Sequence, residues 1–264
     1  MNISTDIFES IQHDKLVFFI GSGFSKVFDF PDWKGLIITV LEELKKNDSK
    51  YEGLINSMEF FSEIEILEKI KSADVGNKRV VYKVLENTFQ LPEDKERLVN
   101  HQIIGDITSK IITTNYDKSI ETANPTIKKI EKTNDYHLAN LDELDEYILK
   151  LHGSVDEPSN CVLFREDYDK LYSNNSPIIE RLKNIISDNT IIFLGFSLSD
   201  PFVKMQFEYI YSLYKGLGKT HYMVTTQDEK GLEKFGVSQI KLDSWANTND
   251  FLQLLLEKKK VIVK

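Results

Sequence analysis

At 264 residues, 41% of them hydrophobic and 28% charged, the chain is long enough for one large globular domain or for a domain carrying an insertion. A net charge of −9 argues against nucleic-acid binding through bulk charge, and no apolar run approaches the roughly 18 residues of a membrane span. A lone cysteine, Cys161, excludes an internal disulfide and a four-cysteine zinc site. The start Met1-Asn2-Ile3-Ser4-Thr5-Asp6 lacks the basic and apolar regions of a secretory signal, so a cytoplasmic protein is expected.

Residues 4–13 read as a helix capped by Ser4 or Thr5, with Ile7, Phe8 and Ile11 on one face. The apolar run Leu16–Ile20 then reads as a buried strand that stops at Gly21-Ser22-Gly23. Glycines there allow a tight turn and close approach of backbone to a phosphate. The full dinucleotide fingerprint wants a third glycine where Lys26 stands, so the turn alone does not define a site. Pro31 and Asp32 punctuate a loop before a helix through Val40, Leu41 and Leu44. Between about 47 and 105 apolar residues recur only at helical spacing, as in Ile64, Leu67, Ile70 and Val81, Val84, Leu85. This stretch is expected to be a small helical subdomain inserted into a single domain that spans 1–264.

Strands resume at 110–114, 147–151 and 190–194, with weaker ones at 221–225 and 239–242. Helices are expected at about 166–173 and 176–187, after Asp200-Pro201, and at 250–258. Strands alternating with helices predict an α/β, Rossmann-like parallel sheet covered by helices on both faces. Four of the strands run directly into Gly21-Ser22-Gly23, Asn115-Tyr116-Asp117, His152-Gly153 and Gly195-Phe196-Ser197. Parallel sheets bind ligands beyond the carboxyl ends of their strands, so these groups gather on one edge. Each has a plainer reading as well: Asn115 and Asp117 as helix caps, and His152 as a histidine satisfied at a strand end. His13, His101, His137 and His221 share no metal-ligand spacing, and Asp142-Glu143-Leu144-Asp145-Glu146 reads as a solvated turn, so no metal is expected. Cys161 reads as a buried small hydrophobe, and Tyr209, Tyr211 and Tyr214 as packing residues of a long helix.

The ordered series Gly21-Ser22-Gly23-Phe24-Ser25, Pro31-Asp32-Trp33, Thr113-Thr114-Asn115-Tyr116-Asp117, Leu151-His152-Gly153 and Leu194-Gly195-Phe196-Ser197 resembles a sirtuin-like domain. It is most similar to the bacterial branch of NAD-consuming enzymes of anti-phage defence, to which Gly195-Phe196-Ser197-Leu198-Ser199-Asp200-Pro201 points especially. The resemblance covers about residues 15–245. It implies that Gly21, Ser22, Gly23 and Ser25 line the pyrophosphate and nearby ribose of NAD+, and that Asp32 lies in the loop over the nicotinamide. It also implies that Asn115, next to Thr114, holds the nicotinamide ribose or a water at its anomeric carbon, and that Asp117 recognises the nicotinamide amide. His152 becomes the base, Gly195, Phe196 and Ser197 face the adenosine half, and Asp200 is a more distant candidate.

The resemblance further implies an NAD+ glycohydrolase releasing ADP-ribose and nicotinamide as the toxic effector of a defence system. NAD+ is then a substrate, and control comes from homo-oligomer formation or from a separate sensor protein, without nucleic-acid or membrane binding. The chemistry suits these side chains. Cleavage builds an oxocarbenium-like sugar, a cationic leaving group needs no strong acid, and the protein must place a nucleophile and accept a proton. Missing zinc cysteines count against the deacylating sirtuins, leaving a protein deacylase or a non-catalytic NAD- or ADP-ribose-binding module as alternatives.

Overall fold

The computed structural model describes residues 3–173, 176–196 and 200–262. Helix α1 (Thr5–Gln12), capped by Ser4, leads into β1 (Leu16–Ile20), all of whose residues are buried. A 3-10 segment over Ser22–Phe28 joins β1 to α2 (Trp33–Lys45), followed by α3 (Tyr51–Asn56), α4 (Glu63–Ala73), α5 (Asn77–Thr88) and α6 (Val99–Ile107). The next elements are β2 (Lys110–Thr113), α7 (Ser119–Ala123), β3 (Lys129–Glu131), α8 (Asp135–Ala139), β4 (Tyr147–Lys150), α9 (Arg165–Leu171) and α10 (Pro177–Asp188). The chain closes with β5 (Thr190–Leu194), α11 (Pro201–Leu213), β6 (His221–Thr225), β7 (Val237–Lys241) and α12 (Thr248–Ile262).

The strands form one sheet in the order β3-β4-β2-β1-β5-β6-β7, and every pairing is parallel. Alternation along the strands divides the core. Val17, Phe19, Ile112, Leu149 and Phe193 face one layer, formed with Leu182, Ile186, Val203 and Phe207 of α10 and α11. Leu16, Phe18, Ile20, Ile111 and Ile192 face the other, formed with Ile7 of α1, Ile104 of α6 and Phe251 and Leu255 of α12. This is the Rossmann-like arrangement expected from strands alternating with helices. The three-residue edge strand β3 escapes a sequence reading, because Lys129 and Glu131 flank a single fully buried apolar residue, Ile130.

A third apolar cluster holds the small helices together. It joins Leu36, Ile37, Val40 and Leu41 of α2 to Tyr51, Ile66, Leu67, Ile70, Val81 and Leu85, and it takes in Cys161, Leu163 and Phe164 from after β4. By packing, the helical cluster therefore begins at α2 rather than near 47. Helix α6 leaves it, because Ile103, Ile104 and Ile107 bury against the sheet. A change in periodicity marks where strands cease, whereas the apolar face of each helix decides which core it joins. The long α11 also differs from expectation. Tyr209 and Tyr214 are 52% and 45% exposed, because the inward face of α11 is filled by Val203, Phe207 and Ile210 instead.

Candidate active site

The chain leaves β1 toward β2 on one side and leaves β5 toward β6 on the other, so the order of strand addition, though not the strand direction, reverses between β1 and β5. Such a switch point opens a crevice at the carboxyl ends of the strands. Here the two loops interlock. Gly21 N–H donates to Leu194 O (3.0 Å) and Gly23 N–H to Gly195 O (2.9 Å). A Cβ on Gly21 would lie 2.4 Å from Gly195 O, and one on Gly195, at φ +66°, would lie 2.2 Å from Phe24 N. The glycines thus act first as a contact between two backbones. The Gly23 amide, expected to face an anion, is held by Gly195 O. Phe196 anchors its own loop on Phe19 and Phe193, with ring centroids 4.6 and 5.7 Å away.

At the end of β2 a polar cluster forms. The Thr113 hydroxyl donates to Ile20 O (2.8 Å) and accepts from the Asn115 N–H (3.0 Å), which fixes the turn against β1. Asn115 Nδ2 donates to Ser25 Oγ (3.1 Å), and Ser25 Oγ donates to Asp117 Oδ2 (2.8 Å). Asp117 Oδ1 accepts from the Ser119 N–H (2.9 Å) and from its hydroxyl. Three donors thereby replace the water that the buried carboxylate has lost. Behind the turn, fully buried Lys150 donates to Asp117 O and pairs with Glu121 at 2.8 Å. Ser25, expected to line a ligand, is thus the bridge between two motifs that are 90 residues apart. Thr114 lies half-buried in the same turn.

His152 follows on the adjacent strand, past Leu151, whose N–H donates to Thr113 O (2.9 Å). Gly153, at φ +84°, folds the chain back so that Val162 N–H donates to His152 O (2.9 Å). The ring sits under an aromatic cover. Tyr168 meets it edge-on at 5.5 Å, and Phe202 lies against Tyr168 and Tyr172 at 5.0 and 4.9 Å. His152 Nε2 lies 2.9 Å from Tyr172 OH and 3.5 Å from Asp200 Oδ2. Burial pushes the imidazole down to about pKa 4. The Asp200 carboxylate opposes that shift, and Lys132 reinforces it. At neutral pH the ring is uncharged.

The remaining candidates lie apart from these clusters. Exposed Asp32 caps α2 by accepting from the Gly35 N–H (2.8 Å), and no hydrogen bond among the described residues joins it to the others. Ser22 is exposed in the turn after β1, and Ser197 falls outside the described residues. Sequence reading missed Lys150, Ser119 and Tyr172. A lone lysine in the apolar run of β4 is a usable signal for the first, since cations are buried only with partners. Nothing in the sequence marks Tyr172. His101 on α6 is buried against Phe24 (4.5 Å) and Phe28 (5.3 Å), and neither ring nitrogen has a partner among the described residues. No cluster of histidine, cysteine and carboxylate side chains suited to a metal occurs among the described residues.

The model of the SIR2-like domain matches residues 109–251, more than half of the chain. The chain belongs to the SIR2-like family. Among curated relatives, this SIR2-like chain is 27% identical over 257 residues to NAD(+) hydrolase ThsA of Cytobacillus dafuensis, covering 89% of the chain and 48% of that protein. It is 31% identical over 218 residues to Defense-associated sirtuin 2 of Bacillus subtilis, covering 80% of the chain and 20% of that protein. The chain therefore spans at most about half the length of these relatives. The crystal structure of a Sir2 homolog–NAD complex superposes with a TM-score of 0.54 at 15% identity, covering 99% of the chain and 96% of that structure, and so shares the SIR2-like fold.

Proposed function

We propose that the chain is an NAD+ glycohydrolase that splits NAD+ into ADP-ribose and nicotinamide, and that it acts in the cytoplasm as the toxic effector of an anti-phage defence system. The observation that carries this reading is the pairing at neighbouring strand ends of a neutral, buried His152 with the hydrogen-bonded cluster of Ser25, Asn115 and Asp117 beside the switch point. Relatives bearing the names NAD(+) hydrolase and defense-associated sirtuin support it, as does a structural neighbour solved with NAD.

In this reading the loops around Gly21–Ser25 and Gly195–Ser197 hold the dinucleotide, and Asp117, fixed by Ser119, receives the nicotinamide amide. The Asn115 amide is both donor and acceptor, so it can place a water or ribose hydroxyl without adding charge where the sugar becomes cationic. His152, uncharged at rest, takes the proton of that hydroxyl or water. An enzyme that drains NAD+ must be restrained in a healthy cell, and the reading includes restraint by self-assembly or by a separate sensor protein.

The test is nicotinamide release from NAD+ by the purified protein. His152→Ala is expected to lower the rate by about 10²–10⁴-fold, as for loss of a general base, and Asn115→Ala to abolish release. Turnover that survives both substitutions, or a protein that does not bind NAD+ at all, would overturn the assignment. Release that requires an acylated lysine peptide would point to a deacylase instead.

A further inference from the structure

Asp200 stands where two functions meet. Its Oδ1 accepts from the N–H groups of Phe202 (2.9 Å) and Val203 (3.2 Å), capping α11, with Pro201 at the first helical position. Serine, threonine or asparagine caps a helix about as well as aspartate does. What aspartate adds is a second oxygen with negative charge, and Oδ2 is directed at His152 Nε2, 3.5 Å away. The cap removes the carboxylate's rotational freedom, so the direction of Oδ2 is set by the backbone of α11.

Among the described residues, the groups facing the ring are few. Tyr168 and Tyr172 cover it from α9 and the residue after it, Phe202 closes the cover from α11, and Lys132 after β3 is a cation that disfavours protonation. Asp200 is the anion among them. An imidazolium formed at a side chain only 5% exposed would be heavily disfavoured without a countercharge.

We infer that Asp200 is a positioning residue for His152: its capping oxygen fixes it on α11, and its free oxygen orients the imidazole and balances the charge once the ring is protonated. This inference rests on His152 being the base of the proposed reaction. In that step a substrate hydroxyl or water loses its proton to a ring nitrogen, and the oxygen uses its electron pair to bond the anomeric carbon. The bond to nicotinamide breaks with its electrons leaving on the nicotinamide nitrogen, and Asp200 remains ionised throughout. Tyr172 OH lies within hydrogen-bonding distance of the same ring nitrogen, at 2.9 Å.

Asp200→Asn separates the two functions, because asparagine preserves the cap and removes the charge, whereas Asp200→Ala removes both. The histidine rings of the chain, labelled with ¹³C and ¹⁵N, would be titrated by NMR, with His152→Ala assigning the His152 signal among its five histidines. Nicotinamide release and the melting temperature would be measured on the same samples. In Asp200→Asn we expect an unchanged melting temperature, a His152 titration moved to lower pH than in the wild type, and a kcat at least tenfold lower with KM changed less than threefold. In Asp200→Ala the same kcat loss should come with a lower melting temperature. A His152 titration that does not move in Asp200→Asn overturns the inference, and so does an unchanged kcat. Should the wild-type protein fail to cleave NAD+, the titration still decides the role of Asp200, and only the proposed reaction is called into question.

Discussion

The ends of β2 and β4 lie side by side yet handle their ionisable groups in opposite ways. Asp117 is buried but surrounded by donors from Ser25 and Ser119, with Lys150 clamping its carbonyl. His152 is buried among tyrosine and phenylalanine rings, with Tyr172 and Asp200 as its polar neighbours. One environment replaces lost water with hydrogen bonds and suits a fixed recognition group. The other withholds solvation and keeps a titratable group neutral until a reaction charges it. In the proposed reaction, binding falls to the first strand end and proton transfer to the second.

The largest expected effect comes from breaking the polar side. Lys150→Met should destabilise the protein by about 3–5 kcal/mol, because it leaves Glu121 as an uncompensated and mostly buried carboxylate. Glu121→Gln in the same chain should restore part of the loss, and urea denaturation of the single and double variants checks both. Full stability in Lys150→Met would mean that the buried pair does not hold the Asn115–Asp117 turn.

The joint shared by both sides is next. Gly195→Ala puts a Cβ against Phe24 N at a backbone angle that side chains rarely adopt, and should cost about 2–4 kcal/mol. For a chain of this size that lowers the melting temperature by roughly 4–16 °C. Differential scanning calorimetry reads it directly.

The most gradual effect, spread over three sites and several pH units, is the pH dependence of the buried histidines, His152 of the aromatic side among them. Burial holds His101 and His152 down to about pKa 4 and His221 to about 3, against roughly 6.5 in an unfolded chain. Between those values the unfolded state binds more protons. The stability associated with these three residues is therefore fully present above about pH 6.5 and is lost as the pH falls toward 4. Each should add a slope approaching about 1.4 kcal/mol per pH unit. Denaturation midpoints at pH 7.5, 6 and 5 test this, and a flat profile would show that the rings are more solvated than their burial implies.

Much of the fold was legible because its signals are local. The runs Leu16–Ile20 and Thr190–Leu194 read as buried strands, and each passes directly into glycine, so their placement on one edge followed from the sheet being parallel, while the interlocking of their two loops came from the strand order. Asn115, Asp117 and His152 could be singled out for the same reason, since each stands within two to four residues of a strand end. Ser25 was found too, although its contact with Asn115 and Asp117 was not expected from a residue read as lining a phosphate. Edge strand β3 and the start of the helical cluster at α2 were not legible, because three residues carry no period and an apolar face does not name its partner.

The sequence by itself therefore determined the parallel sheet, the edge on which chemistry gathers and the identity of the groups that end its strands, since periodicity and glycine placement are properties of short segments. Only the tertiary structure decided what surrounds those groups. Burial, cross-chain hydrogen bonds and charge pairs depend on residues far away in the chain, as Tyr172 and Asp200 do for His152 and as Ser25 and Lys150 do for the turn around Asp117. These surroundings fix one ionisable group by hydrogen bonds and leave its neighbour desolvated among aromatic rings, the contrast on which the proposed division between binding and proton transfer rests.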